Sequence, residues 1–466
     1  MRVLFTVYAA KTHFYNMVPV AWAFRAAGHE VCVASGPELV EAITRTGLTA
    51  VAVGDADEMR EDSGPGSQEG PDEQVTSGSS WRDLNAGITE TRPEALTWDY
   101  VLGTFTIACS MHYEYATGGQ TMLDDLVEFA TGWGPDLVIW DAMTFAGPVA
   151  ARASGAAHAR MLFGIDYIGR MYGEYARLLA AQPPERRDDP LGDWITGRLA
   201  RFGCRPDAGD TAGTAAGDGT VGGELAREMM TGQWTIDPTP AWLQLPLDLP
   251  LLPVRYVPYN GPTAIPEWVL APPQRPRVCL SMGVTAREVL GGDLFSVSDM
   301  LASMAELDIE IVATLDAGQL DPAVTLPANV HIVDFVPLNE LLPSCSAIIH
   351  HGGFGTLGNA MVHGVPNIIA PGRYWDEIRF GERIEERGAG LILDYQQTSG
   401  DGLKSGIDGE TLKAMVSRVL EVPSYRHSTG RIQDELRVTP SPGDLVRQLE
   451  KLVADTVCRV PPGYRT

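Results

Sequence analysis

Ser346-Ala-Ile-Ile-His350-His351-Gly352-Gly353-Phe354-Gly355-Thr356-Leu357-Gly358 is the stretch on which the fold turns. Ala347 to Ile349 form an unbroken apolar run, the pattern of a parallel strand covered on both faces. The glycines that follow let the backbone turn sharply and come close to a ligand. Thr356 to His363 then reads as a helix, closed by Gly364 and followed by Val365-Pro366. A helix that opens from such a turn aims free N–H groups and the positive end of its dipole at one point, which suits phosphate. His350 and His351 add donors that a bare phosphate loop lacks. The competing reading is a tight turn whose histidines only satisfy their neighbours.

The same residues match a different motif. Gly353-x-Gly355-x-x-Gly358 has the spacing of the dinucleotide fingerprint, with Asp376 near the distance of a ribose-binding acid. That fingerprint normally opens a βαβ unit whose acid closes the second strand. Here Asp376 follows Pro371-Gly-Arg-Tyr-Trp and precedes a charged helical run, Glu377 to Arg387, so nicotinamide is the minor reading.

Outward from this stretch, apolar strands alternate with amphipathic helices. Strands are expected at Arg277–Ser281, Glu310–Thr314, His331–Val333, Ala347–His350, Asn367–Ala370 and Gly390–Leu393. The first half repeats the pattern at Arg2–Tyr8, Glu30–Ala34, Ala50–Val53, Leu137–Trp140 and Arg160–Phe163, with a helix over Val18–Ala27. Such alternation gives an α/β fold with parallel sheets. The prolines from Pro238 to Pro266 mark a semi-rigid connection between the halves. The expected order is therefore an N-terminal domain over 1–240, a linker over 241–266 and a second domain over 267–440. A helical segment over 441–466 is expected to pack back on the first domain. Ligands of open sheets sit at the carboxyl ends of the strands, here in a cleft between two domains joined by a hinge.

Composition narrows the function. The 466 residues are 44% hydrophobic and 20% charged, ample for two globular cores. A formal net charge of −25 argues against nucleic acid and anionic membrane as partners. Met1 runs straight into a strand with no cleavable signal, so a cytoplasmic location is expected. Cys32, Cys109, Cys204, Cys279, Cys345 and Cys458 lack paired spacing and read as reduced thiols rather than a disulfide frame or zinc site. Asp55–Ser80 and Asp207–Gly223 read as long surface loops. Asp55-Ala-Asp57 looks like a metal-binding acid pair but reads better as part of a charge run, so no metal is expected.

His13 follows the first strand, ahead of the helix, where an imidazole can act as general base. The alternative is a surface loop histidine. Asp141 ends Leu137-Val-Ile-Trp-Asp141, where a carboxylate can fix the imidazole tautomer, or merely cap a strand. His29, His112, His158, His331 and His427 read as structural. Tyr113, Tyr115, Tyr167 and Tyr172 line an apolar pocket or belong to the core.

The chain resembles two-domain GT-B nucleotide-sugar glycosyltransferases of family 1, nearest to the actinobacterial group that attaches deoxysugars to macrolide and aromatic polyketide aglycones. The motifs are Val20-Ala-Trp-Ala-Phe-Arg-Ala-Ala-Gly-His-Glu-Val31, Pro135-Asp-Leu-Val-Ile-Trp-Asp141, Asp334-Phe-Val-Pro-Leu-Asn-Glu-Leu-Leu-Pro343 and His350-His-Gly-Gly-Phe-Gly-Thr356. The resemblance implies two Rossmann-like parallel-sheet domains facing across a cleft. It makes His13 the base and Asp141 its partner. Ser281 is implied as a phosphate contact, and Phe335 and Val336 as the pair that holds the nucleobase. His351, Gly353, Phe354, Gly355 and Thr356 match the pyrophosphate cradle. Asp376 and Glu377 stand where many members hold sugar hydroxyls with an acid and a glutamine. Glutamate there fits a deoxysugar or an amino sugar, and Pro337-Leu338 hints at a thymidine donor.

The implied reaction is inverting, cofactor-free and metal-free transfer from a TDP-sugar to a hydroxyl of an apolar polyketide aglycone in antibiotic biosynthesis. The family also suggests a helper protein resembling a cytochrome P450 without haem function, docking on the N-terminal domain. A homodimer is left open. The rival readings are a nucleotide-sugar epimerase on the same fold, a nicotinamide oxidoreductase and a non-catalytic binding protein.

Overall fold

The computed structural model describes residues 1–55, 87–109, 119–204, 223–283, 296–315, 328–372, 375–393 and 409–459. Tyr113, Tyr115, His112, Asp57 and nearly all of both long loops lie outside them. The chain divides into one unit of Met1–Val254 with Pro440–Thr466, and another of Arg255–Thr439.

The first unit is built on β1 (Arg2–Thr6), β2 (Glu30–Ser35), β3 (Thr49–Ala52), β4 (Leu137–Asp141), β5 (Ala157–Met161), β6 (Trp234–Asp237) and β7 (Leu251–Pro253). Their order is β3-β2-β1-β4-β5-β6-β7, and every pair is parallel. All positions of β4 are buried, whereas those of the edge strand β3 are partly or fully exposed. An apolar run in the sheet centre and a mixed one at its edge are what helices on both faces impose.

Three differences from the sequence reading matter for function. Helix α1 spans Lys11–Ala26, so His13 lies in its first turn rather than in a loop before it. The helix runs through Pro19. Burial of Phe14, Met17, Val18, Ala21 and Phe24 on one face outweighs a proline cost of roughly 3 kcal/mol. Strand β5 begins at Ala157 instead of Arg160, because its polar residues are paired inside the core. The Trp140 indole N–H donates to His158 Nδ1 at 3.2 Å, and Arg160 pairs with Asp166. Phe163 therefore lies beyond the strand. Finally, β6 carried no clear sequence signal, and β7 falls inside the stretch 241–266 read as a linker. As the outermost strand, β7 pairs only with β6, and an edge is where Pro253 is tolerated.

Helix α2 (Ala146–Ser154) follows β4, and α3 (Tyr167–Ala181) follows β5, its N-terminus capped by the Asp166 carboxylate.

The second unit carries β8 (Arg277–Ser281), β9 (Glu310–Thr314), β10 (Val330–Val333), β11 (Cys345–His350), β12 (Asn367–Ile369) and β13 (Gly390–Ile392), all parallel and ordered β10-β9-β8-β11-β12-β13. The two-residue alternation sends Val278, Leu280, Ile311, Ala313, Ala347 and Ile349 into one core, and Cys279, Val312 and Ile348 into the other. Helices α4 (Phe354–His363) and α5 (Glu377–Glu386) follow β11 and β12.

The last helix, α6 (Pro442–Arg459), belongs to the first unit. It packs on α1 and buries Leu445, Val446, Leu449 and Val453.

Candidate active site

Counted within each unit, both sheets share the order 3-2-1-4-5-6. The order reverses between the first and fourth strands, and ligands of such sheets bind at that point. In the first unit these strands are β1 and β4, aligned so that Thr6 faces Trp140. Beyond their carboxyl ends, His13 Nδ1 lies 2.9 Å from Asp141 Oδ2. Asp141 is only 2% exposed, and its Oδ1 accepts the Met143 N–H at 3.0 Å. An ionised carboxylate only accepts, so Nδ1 is the protonated nitrogen and Nε2 keeps its lone pair. The imidazole stays within reach of solvent, its side chain 12% exposed. Tyr8 meets the ring edge-on at 4.7 Å between centroids, and Phe163 leans on it at 4.1 Å. An imidazole held this way can take up a proton at Nε2.

In the second unit the corresponding strands are β8 and β11, with Ser281 opposite His350. The two histidines have separate duties. His350 is fully buried, with Nε2 3.1 Å from Asn367 Oδ1 and Nδ1 accepting the Gly352 N–H at 3.1 Å. Burial pushes its pKa down to about 3, so it is a neutral brace for the turn. His351 is half-buried, and its enclosed Nδ1 has no hydrogen-bond partner among the described residues. Burial lowers its pKa to about 4, which leaves a neutral imidazole with one N–H to give.

Glycines fix the position of that ring. A Cβ on Gly283, the second residue after β8, would lie 2.4 Å from His351 Cε1; one on Gly353 would lie 2.4 Å from Nε2. A side chain at either position would force the imidazole to shift. Gly353 is also the N-cap of α4, and no side chain caps this helix. Gly355, in the first turn, faces open space, and Thr356 donates its N–H to Gly353 O at 3.1 Å. Phe354 is buried against Tyr256 and Phe380. Unpaired N–H groups at a helix start, beside a neutral imidazole donor, form a site for an anion.

The remaining expected residues stand along the same edge of this sheet. Ser281 ends β8 and is buried. Phe335, just after β10, is 53% exposed, while the Val336 side chain packs into the core with Val312 and Leu341. Asp376 and Glu377 are buried at the start of α5, and Glu377 Oε2 accepts the Gly372 N–H at 2.6 Å. The Gly352 backbone lies against that of Glu377, which brings this acid pair beside the cradle. Trp375, ahead of the pair, has φ +49°, an outlier for a bulky residue.

Sequence reasoning missed the residues that brace the cradle. Tyr256 donates its hydroxyl to Gly355 O at 3.2 Å, and Asn359 donates its amide to the same oxygen at 2.7 Å. Tyr256 lies in the proline-rich stretch, where no pattern marks it. Gly283 was within reach as the last residue of Ser281-Met-Gly283. Tyr167 and Tyr172 are core residues, Tyr172 donating to Gly223 O at 3.2 Å. The dinucleotide fingerprint belongs to the fourth strand of its sheet, with Asp376 at a helix start, so it does not make a nicotinamide site. The described cysteines are free thiols, and no helix among the described residues is long and apolar enough to cross a membrane.

Residues 22–283 match the family model described as erythromycin biosynthesis protein CIII-like, N-terminal domain, and residues 298–452 match its C-terminal domain. The chain is 46% identical over 455 residues to the aclacinomycin-T 2-deoxy-L-fucose transferase of Streptomyces galilaeus, covering 98% of this chain and 97% of that protein. It is 41% identical to the 10-deoxymethynolide desosaminyltransferase of Streptomyces venezuelae, covering 99% of each. The crystal structure of the glycosyltransferase VinC in complex with dTDP matches with a TM-score of 0.81 at 39% identity, over 98% of this chain and 100% of that one.

Proposed function

The chain belongs to the erythromycin biosynthesis protein CIII-like family of glycosyltransferases, and we propose that it transfers a deoxysugar from a TDP-sugar to a hydroxyl of a polyketide aglycone, in the cytoplasm and with inversion. The observation that carries this reading is the 2.9 Å contact of His13 Nδ1 with the buried Asp141 carboxylate, which leaves Nε2 as a base. Nε2 removes the acceptor proton as the hydroxyl oxygen attacks the anomeric carbon. The bond from that carbon to the diphosphate oxygen breaks, and TDP departs. Asp141 stabilises the imidazolium, the role such a carboxylate takes beside a catalytic histidine. His351 and the first N–H groups of α4 meet the charge that grows on the leaving diphosphate, and no metal ion or cofactor enters the scheme.

The relatives' names support the substrate class: one acts with 2-deoxy-L-fucose, the other is a desosaminyltransferase. The dTDP held by VinC supports the thymidine donor. Glu377 refines the sugar. A glutamine could present its amide N–H groups, whereas a carboxylate only accepts and so favours a donor on the sugar, best an ammonium. An aminodeoxysugar is the finer reading.

Incubation with a TDP-deoxysugar and a polyketide aglycone should yield the aglycone heavier by one anhydrosugar. Conversion of the nucleotide sugar without acceptor, and no such adduct, would overturn the assignment in favour of an epimerase. The reading extends to a P450-like helper that docks on the first unit. The chain alone should then bind TDP normally but transfer poorly until the helper is co-expressed. Full activity of the isolated chain on its natural aglycone would remove the helper.

A further inference from the structure

We infer that Phe163 is a positioning residue for the His13 base, pinned from behind by Gln244, a residue with no place in the acid–base pair. The inference rests on the general-base reading of His13 and adds the means by which the imidazole is held. Asp141 fixes only one atom of the ring, Nδ1, so the imidazole can still swing about that hydrogen bond. The Phe163 ring lies against it at 4.1 Å between centroids, tilted by 47°, and Tyr8 closes the other contact edge-on at 4.7 Å. Those two rings limit the orientations open to the imidazole.

Phe163 lies outside any strand, so its own position has to be secured. The residue before it is held twice: Leu162 donates its N–H to Ile236 O at 2.9 Å and accepts the Asn16 amide at 2.7 Å. Asn16 is one turn along α1 from His13, so base and support share an anchor. The residue after it is held by a buried polar cluster. Gly164 O accepts Gln244 Nε2 at 2.9 Å and the Thr239 hydroxyl at 3.2 Å. Gln244 also gives Nε2 to Asp237 Oδ1 at 3.2 Å and accepts the Asp166 N–H at 3.1 Å on Oε1. One buried side chain thus ties the end of β6, the start of α3 and the loop bearing Phe163. Removing it strands several buried polar groups in a place whose next contact is the base.

The ring does more than restrict motion. An aromatic face attracts a cation, and an imidazole that has taken up the acceptor proton is one. The contact is therefore stronger in the transition state than in the resting enzyme and should appear in kcat rather than in substrate affinity.

The test is a mutant cycle on the full chain, with TDP affinity by calorimetry and kcat and KM by product formation. Phe163→Leu, which keeps bulk but loses the ring, should lower kcat by about tenfold with TDP affinity unchanged. Phe163→Tyr should restore most of it. Gln244→Leu should lower kcat by a smaller factor, and the Phe163→Leu/Gln244→Leu double variant should be no slower than Phe163→Leu alone, because Gln244 acts through Phe163. Wild-type kcat in Phe163→Leu, failure of tyrosine to rescue, or losses that multiply in the double variant would each overturn the inference. His13→Ala in the same assay separates the layers. Loss there with none in Phe163→Leu removes only the positioning role, whereas wild-type turnover in His13→Ala removes the base and this inference with it.

Discussion

The two units place different chemistry at the same topological point. In each, the first and fourth strands are neighbours, and the residues just past their ends form the site. The first unit sets a histidine against a buried carboxylate there, His13 on Asp141. The second puts His351 between two glycines, with no acid on its ring among the described residues. A carboxylate makes an imidazole ready to become a cation, and burial without one keeps it neutral. Both imidazoles sit at strand ends of the same architecture, and they differ in their surroundings: a buried carboxylate on one, two glycines around the other.

That contrast is most exposed at His13. His13→Ala should reduce turnover by roughly 10² to 10⁴, the usual contribution of a general base. A variant with more than about a hundredth of wild-type turnover would break the assignment of the base to the first unit. Asp141→Asn is next. It keeps the shape but exchanges a carboxylate for an amide that can present a donor to Nδ1, and turnover should fall by up to about 10⁴. Unchanged turnover would show that the carboxylate does not set the tautomer.

On the other side of the comparison, Gly283→Ala tests the cradle without touching a ligand-binding side chain. The new methyl must displace the His351 ring, and TDP affinity should weaken by about tenfold or more, the scale of one hydrogen bond to a charged group. Wild-type affinity would mean that the ring position is not what binds diphosphate.

The smallest effect is on stability against pH. His350 and His351 have pKa values depressed to about 3 and about 4. The unfolded chain therefore binds protons that the folded second unit refuses. Their contribution is complete above the unfolded value near 6.5 and is lost as pH falls toward 4, by up to about 1.4 kcal/mol per pH unit for each histidine. In the first unit, His158, also depressed to about 3, acts in the same direction. Asp237, raised by burial to about 7, opposes it, since its folded form holds a proton that the unfolded form has lost. Between pH 6.5 and 5, hydrogen exchange should show the second unit loosening more than the first. Equal loosening would contradict the burial argument.

How much of this was legible in the sequence follows the same division. The second sheet is legible almost to the residue, because most of its strands are short runs with apolar centres. The glycine-rich turn after β11 and the helix that follows it are legible as well. The first sheet was harder. Strand β5 hides His158 and Arg160 in its core, and polar residues in a strand mislead any reading by apolar pattern. Strand β7 sits among prolines that an edge tolerates. Helix α1 continues through Pro19, so His13 was read as a loop residue. The second-layer residues Phe163, Gln244 and Tyr256 had no signal at all. Their contacts include partners far away in sequence, as with the 80 positions between Gln244 and Gly164, which no local pattern encodes.

In this scheme proton transfer belongs to the first unit and diphosphate binding to the second. Calorimetric titration of TDP into wild type, His13→Ala and His351→Ala tests it most directly. The account predicts wild-type affinity in His13→Ala and affinity weakened by about tenfold or more in His351→Ala. Equal affinity in wild type and His351→Ala, or a loss in His13→Ala as large as that in His351→Ala, would contradict it.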